Sequence, residues 1–91
     1  MISVVIPAFN AARHIAEALA GIDSQGIDDL EIIVVDDHSS DETAAIARRH
    51  PKVRLFELTD KTGPAAARNR GILESKGSLV ALLDADDYWE P

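Results

Sequence analysis

Residues 79–87 read Leu79-Val80-Ala81-Leu82-Leu83-Asp84-Ala85-Asp86-Asp87, an apolar run that passes into three carboxylates with no turn residue between them. A short apolar run predicts a buried strand, although periodicity alone leaves a helix segment open. Two like charges about 4 Å apart repel by roughly 1 kcal/mol in water, and by several times more at a partly buried site. Three carboxylates at a strand end therefore point to a bound cation, and oxygen ligands favour Mg²⁺ or Mn²⁺.

Three earlier runs also predict strands. Residues 2–6 are rich in β-branched side chains and lead into Pro7, which we expect to stop the strand. Residues 31–35 form a second strand that leads into the pair Asp36-Asp37. Residues 53–58 alternate between apolar and polar side chains, which is typical of a less buried edge strand.

Helical patterns separate these strands. The first predicted helix has apolar residues at the spacing of one helix face, namely Ile15, Leu19 and Ile22. Asn10 is placed to cap this helix. Two further helices are predicted over residues 44–49 and 65–75. Gly63-Pro64 opens the last of them, and Gly77 stands at its expected C′ position.

The β-α-β-α-β-α-β order predicts an α/β fold with a mostly parallel sheet. Right-handed crossovers carry strands one, two and three successively in one direction. The apolar fourth strand then lies beside strand one, which gives the order 3-2-1-4. Ligands of such sheets bind outside the carboxyl ends of the strands, at the switch between strands one and four. We expect Phe9-Asn10, Asp36-Asp37 and Asp84–Asp86 to meet there.

The fourth strand is an apolar edge in this order, and such an edge invites pairing with another strand. We therefore expect residues 1–91 to be the N-terminal piece of a larger protein. Self-association or strand exchange through the same edge is the alternative.

Composition narrows the classes of partner. Nine Lys and Arg against sixteen Asp and Glu give a net charge of −7, which argues against non-specific binding to nucleic acid or to an anionic membrane. Cysteine is absent, which excludes disulfide and thiolate chemistry. No signal peptide or membrane-spanning run is evident. We expect a cytoplasmic chain, peripheral at most to the inner face of the membrane in a full-length protein.

A glycine-rich phosphate loop is not indicated, because neither G-x-x-x-x-G-K-[ST] nor G-x-G-x-x-G follows any strand. A divalent metal held by carboxylates can take its place, since it bridges them to a diphosphate and offsets the charge of the leaving group. A solvated loop is the plainer interpretation of Asp84–Asp87. The predicted position of this stretch beside Asp36-Asp37 favours the metal.

Four motifs, in order, cover essentially the whole chain: VVIPAFN at residues 4–10, IVVDDHSSDET at 33–43, GPAAARNRGI at 63–72, and the D-x-D at 84–86 with YWEP after it. Together they resemble the family 2 glycosyltransferases of the GT-A fold. The resemblance implies a three-layer, Rossmann-like nucleotide-binding half. His38 is one departure, because the family most often has Gly or a small polar residue there. We expect only a local backbone adjustment from it.

The resemblance also implies a nucleotide-diphosphate sugar as donor, with a UDP-sugar preferred. Phe9 matches the aromatic position beside the donor base, and Pro7 and Ala8 supply nearby backbone. A core role at the strand end is the alternative for Phe9. Asp37 matches the carboxylate that reads the base, whereas we expect Asp36 to have a structural role in the turn that follows.

Three more positions follow from the resemblance. Arg68 matches the basic residue of the third helix that faces the nucleotide, and a surface arginine is its alternative. Asp84 would contact the ribose or the metal, and Asp86 would be the direct ligand of Mn²⁺ or Mg²⁺.

The resemblance places the general base of inverting members beyond the D-x-D, so we expect it after Pro91 and assign no catalytic residue to this chain. Residues 1–91 are then the donor half of a truncated GT-A domain from a metal-dependent, inverting glycosyltransferase. We expect this fragment to be inactive or weakly active. The acceptor, whether sugar, lipid or polysaccharide, is not specified by these residues.

Three other classes are weighed against this one. The first is a non-catalytic nucleotide-binding or regulatory module, which would share the same crevice. A phosphoacceptor receiver domain needs its acid pair after the first strand and a lone Asp after the third, which this chain does not have. Nucleotidyltransferases share the layout but open with a glycine-rich loop.

Overall fold

The computed structural model describes residues 1–83. Its elements are β1 (Ile2–Ala8), α1 (Ala12–Ser24), β2 (Leu30–Asp36), α2 (Thr43–Arg48), β3 (Val53–Glu57), α3 (Pro64–Glu74) and β4 (Leu79–Leu82). The four strands pair in parallel, in the order β3-β2-β1-β4. The predicted fold class and strand order are confirmed, because each crossover returns the chain to the same end of the sheet.

The two faces of the sheet are covered by different helices, which makes three layers. Even-numbered residues of β1 and β2 pack against α1 and α2 in the larger core. Odd-numbered residues of the same strands pack against α3, which contributes Ala67 to that second cluster. The predicted apolar face of α1 is confirmed, since its three members are all buried: Ile15, Leu19 and Ile22. No helix within residues 1–83 is both long and apolar enough to cross a membrane.

Strand β1 runs through Pro7 to Ala8, so the prediction that Pro7 stops it is wrong. Along a strand with parallel neighbours on both sides, successive residues hydrogen-bond alternately to one neighbouring strand and to the other. Val5 O accepts from Leu83 N on the β4 side (3.0 Å), and Ala8 O accepts from Asp37 N on the β2 side (2.8 Å). Pro7 therefore faces β4, whose last described pairing with β1 is at Val5. The missing N–H of Pro7 therefore costs no hydrogen bond to β2, with which β1 stays paired through Ala8.

The start of α1 also differs from the prediction. The helix begins at Ala12, its N-cap position is Ala11, and no side chain at that position caps it. Asn10 lies one residue earlier, with a left-handed φ of 46°. Its Oδ1 accepts from Ser40 N at 2.8 Å instead of from its own helix. The short polar side chain of Asn10 thus serves a loop–loop contact.

Strand β4 forms the outer edge of the sheet beside β1. Leu79 is 65% exposed and Leu82 is 51% exposed. The apolar edge expected from the sequence is therefore present in the described residues. Gly77, just before this strand, is not the C′ residue of α3, because α3 ends in an extended cap at Ser75. A Cβ at Gly77 would lie 2.6 Å from Met1 O, so the glycine allows a close approach to β1.

A buried carboxylate ties the amino ends of the strands together, and no sequence motif predicts it. Glu31 accepts from Ser3 Oγ at 2.7 Å, from Lys76 N at 2.6 Å and from Arg54 at 3.0 Å. Burial by itself would raise the pKa of Glu31, but these hydrogen bonds and the guanidinium charge lower it below its ordinary value. These hydrogen bonds hold together the edge of the sheet opposite the carboxyl ends of its strands.

Candidate functional site

A cleft of about 570 Å³ opens at the carboxyl edge of the sheet, between the end of β1 and the start of α3. Its walls are Pro7, Ala8, Phe9, Asn10, Ala11, His14, Asp37, Lys61, Pro64, Ala67 and Arg68. Five of the predicted nucleotide-binding residues lie together here: Pro7, Ala8, Phe9, Asp37 and Arg68. Parallel strands bring these positions together because their carboxyl ends share one edge of the sheet.

Phe9 presents its ring to the cleft. It follows the last residue of β1 and is 43% exposed, so the alternative of a core residue at the strand end is wrong. The ammonium of Lys61 lies over this ring, 4.4 Å from the centroid. An exposed aromatic face in a concave site can serve as a stacking surface for a planar ligand.

Asp37 is 2% exposed and is held by the loop before α3. Its Oδ1 accepts from Thr62 N at 2.7 Å and from Thr62 Oγ1 at 3.1 Å, and its Oδ2 accepts from Gly63 N at 2.8 Å. Burial alone would raise the pKa of Asp37, but these bonds and the Lys61 ammonium lower it below its ordinary value. A carboxylate oxygen has about two acceptor positions, so Oδ2 keeps one position for a further donor.

Lys61 is a charged cleft residue that the sequence analysis did not single out. Its Nζ lies 3.8 Å from Asp37 Oδ2, and its side chain is 49% exposed. The only sequence signal is its place directly before the Thr62-Gly63-Pro64 turn that opens α3. Residues in a polar loop follow no hydrophobic periodicity, so the sequence does not indicate that Lys61 contacts Phe9.

Arg68 lies on α3, one residue after the buried Ala67, and lines the cleft half-buried. It forms no ion pair or hydrogen bond with any of residues 1–83. Several other arginines of the described chain are paired, such as Arg54 with Glu31 and Arg70 with Glu74. A guanidinium that lines a cleft and has no partner among residues 1–83 is suited to an anionic ligand.

The amino end of α1 is closed by side chains from the β2–α2 loop. The backbone N–H groups of Asn10, Ala11 and Ala12 donate to these side chains. Their acceptors are Ser39 Oγ (2.9 Å), Thr43 Oγ1 (2.9 Å) and Asp41 Oδ2 (3.2 Å), respectively. These N–H groups are therefore already paired, and α1 does not offer them to a phosphate as the first helix of a dinucleotide-binding fold does.

Asp36 and Asp41 hold this loop. Ser39 Oγ donates to Asp36, which confirms the predicted structural role of Asp36 in the turn. Burial by itself would raise the pKa of Asp41, but hydrogen bonds from the Thr43 hydroxyl and amide and from Ala12 N lower it. Between them lies His38, exposed and with a left-handed φ of 61°. The local backbone adjustment expected at this departure from the family pattern is thus a left-handed residue.

The predicted metal ligands Asp84 and Asp86 lie outside the described residues. Within residues 1–83 there is no group of three or more Asp, Glu or His side chains that could hold a metal ion. Leu83, the last residue described, is buried and donates its N–H to Val5 O at 3.0 Å. The described chain is thus still beside β1 at Leu83.

Comparisons with known proteins agree with this geometry. The family model described as Glycosyl transferase family 2 matches residues 3–91. The succinoglycan biosynthesis protein ExoO of Rhizobium meliloti is 39% identical over 92 residues, which cover 99% of this chain and 26% of ExoO. The chain therefore spans about a quarter of the length of that relative.

Two solved structures superpose closely on the chain. S. aureus TarS in complex with UDP gives a TM-score of 0.91 at 30% identity, over 96% of this chain and 28% of TarS. The mannosyltransferase PcManGT from Pyrobaculum calidifontis, in complex with GDP-Man and Mn²⁺, gives 0.90 at 35% identity, over 99% of this chain and 28% of that enzyme. Sequence motifs, strand order and cleft thus agree with these matches, and the chain belongs to glycosyl transferase family 2.

Proposed function

We propose that this chain is the donor half of a GT-A glycosyltransferase, and that its cleft binds the nucleotide of a nucleotide-diphosphate sugar. The observation that carries the proposal is the convergence of Phe9, Asp37 and Arg68 in one cleft at the carboxyl edge. The UDP in TarS and the GDP-Man in PcManGT support it, because both proteins share the fold at 30% identity or more.

Each group has a part of the nucleotide to bind. The half-exposed ring of Phe9 offers a surface for the base. Asp37 Oδ2 has one acceptor position left, which suits a single ring N–H such as that of uracil or guanine. Arg68, which has no partner among residues 1–83, supplies positive charge for the diphosphate. This charge matters because the N–H groups of Asn10, Ala11 and Ala12 at the start of α1 are already paired.

We further propose that Asp84 and Asp86 hold Mn²⁺ or Mg²⁺, since an all-oxygen donor set suits these cations. When bound, such a metal offsets the charge that develops on the leaving diphosphate. The Mn²⁺ in PcManGT supports this assignment. We propose an inverting transfer to an acceptor hydroxyl, with the general base in sequence after Pro91.

Calorimetric titration of UDP and GDP, with and without Mn²⁺, tests the proposal. We expect Arg68→Ala to weaken UDP binding about tenfold or more, because a charge-assisted hydrogen bond contributes roughly 1.5–3 kcal/mol. Arg49→Ala removes the same charge from an exposed position of the described chain outside the cleft and serves as the control. Asp86→Ala is expected to remove the effect of Mn²⁺. Binding that is independent of metal and equal in all variants would contradict the assignment.

A further inference from the structure

Lys61 contacts both groups that the cleft offers to a base. Its ammonium lies 4.4 Å from the centroid of the Phe9 ring and 3.8 Å from Asp37 Oδ2. A carboxylate has about four acceptor positions. Thr62 N, Thr62 Oγ1 and Gly63 N already donate to three of those of Asp37. Lys61 therefore faces the one acceptor position of Asp37 that a ligand could still use.

The Lys61 ammonium and a base cannot occupy these two positions at the same time. A base stacked on Phe9 would lie at roughly the distance at which Lys61 now covers the ring. Its ring N–H would need the acceptor position of Asp37 that now faces Lys61. The cleft has other walls, but among its lining residues within 1–83 Phe9 is the only Phe, Tyr or Trp. A base that uses Phe9 and Asp37 must therefore move the lysine.

We propose that Lys61 is a displaceable plug of the base subsite: its ammonium covers Phe9 and Asp37 in the free protein and leaves when a base with a ring N–H enters. This inference rests on the proposed function, because it takes Phe9 and Asp37 as the groups that bind the base. The selected ligands are uracil-like and guanine-like bases, whose ring N–H replaces the ammonium as donor. Adenine and cytosine present a bare ring nitrogen to the carboxylate.

The plug is easily released. Lys61 is 49% exposed on a flexible four-carbon stem, and its contact with Phe9 is a cation–π contact in open solvent. Contacts of this kind at exposed sites are weak, so the lysine should lower base affinity by only about two- to fivefold. Its release also frees an ammonium at the cleft rim, close to where an anionic ligand would lie.

An NMR titration with uridine tests the displacement, because uridine has the base without the phosphate charge. We expect Lys61→Ala to bind uridine about two- to fivefold more tightly than the wild type, since the competing cation–π contact is gone. Lys61→Arg, which keeps a cation over the ring, should resemble the wild type. Lys76→Ala removes the same charge from an exposed site outside the cleft and should have no effect. N3-methyluridine lacks the ring N–H and should bind more weakly than uridine to every variant.

The Lys61 ε-methylene signal gives a second readout. The ring current of Phe9 should shift it upfield in the free protein, and saturation with uridine should return it to its ordinary position. Uridine affinity that is unchanged or weaker in Lys61→Ala would overturn the plug, and so would a Lys61 signal that stays in place while uridine binds. Failure of UDP, GDP and uridine all to bind would overturn the proposed function, and the displacement with it. The two failures differ in whether a ligand binds at all.

Discussion

Two adjacent carboxylates, Asp36 and Asp37, have different tasks at the scale of single residues. Asp36 receives the Ser39 hydroxyl and holds the loop after β2. Asp37 points to the other face, where it holds the turn at Thr62 and Gly63 and reaches the cleft. Successive residues of a strand face opposite sides of the sheet, so the two side chains are separated by the period of two. The resemblance to the family implied this division of roles, and the alternation gives its physical reason.

His38 is a residue-scale test of backbone strain. A left-handed φ of 61° costs a residue with a side chain roughly 1–2 kcal/mol, and glycine is free of that cost but loses more entropy on folding. We expect His38→Gly to be about 0.5–1 kcal/mol more stable than the wild type in urea denaturation. His38→Val, with a branched Cβ at the same φ, should be less stable. Equal stability of the two variants would contradict strain at this position.

At the scale of elements, helix α3 is held unusually close to the sheet. A Cβ at Gly71 would lie 2.2 Å from Val5 Cγ1 and 3.4 Å from Val35 Cγ2. Gly71 and Ala67 are the buried residues of this helix, and Arg68 lies beside Ala67. Small side chains at the contact thus set the depth at which Arg68 enters the cleft.

Gly71→Ala tests this packing. The added methyl group should destabilise the protein by about 2 kcal/mol, because overpacking at Val5 outweighs the better helix propensity of alanine. Thermal or urea denaturation measures the change. Asn69→Ala, at an exposed position of the same helix, should stay within about 0.5 kcal/mol of the wild type. If Gly71→Ala matches the wild type, the close approach is not a constraint on α3.

The elements themselves were largely predictable, and their ends were not. Strands β1 and β2 and the buried face of α1 follow from periodicity, because burial imposes it. Pro7 did not end β1, because its missing N–H faces away from β2, with which β1 stays paired through Ala8. Asn10 did not cap α1, because a loop 30 residues away uses its side chain. Both outcomes depend on a neighbour that local sequence does not identify.

At the scale of the whole molecule, three hydrogen-bonded carboxylates, two of them buried and one exposed, couple stability to pH. The pKa values of Glu31, Asp37 and Asp41 are all lowered by folding, from ordinary values of 4.5 for Glu and 3.8 for Asp. A lowered pKa means that the stabilisation is complete above the ordinary value and is lost as pH falls through the folded value. The free energy of unfolding should therefore hold steady above about pH 5 and decline below about pH 4.5.

Asp37→Asn tests the share of one carboxylate in this decline. The amide NH2 replaces one carboxylate oxygen, so at least one of the three present donors loses its acceptor, and the variant should be less stable at pH 7 by about 1–3 kcal/mol. Its stability should also fall less steeply with acid, because one titrating group is gone. Urea midpoints across a pH series measure both effects. Asp60→Asn, at an exposed neighbouring site, is the control. If Asp37→Asn leaves the decline of stability with falling pH unchanged, Asp37 does not contribute to it.

The strand order and the edge that carries the cleft were predictable from chain connectivity, since right-handed crossovers leave few alternatives. The contacts of Lys61 and the Glu31 network were not. The Lys61 contacts and the Glu31 network each join residues more than 20 positions apart in the chain, and neither is marked by a sequence motif. The sequence therefore does not predict side-chain contacts whose partners are set by tertiary structure.

The position of β1 has a consequence for how the sheet assembles. It precedes β2, β3 and β4 in the chain and is an inner strand of the sheet. Its edge toward β4 accepts Ser78 N at Met1 O and Gly77 N at Ser3 Oγ. That side of β1 cannot close until residues more than seventy positions later in the chain have left the ribosome. Such distant contacts raise contact order and slow folding. A nascent chain shorter than this should carry β1 with one edge open, which makes it a natural client for a chaperone during translation.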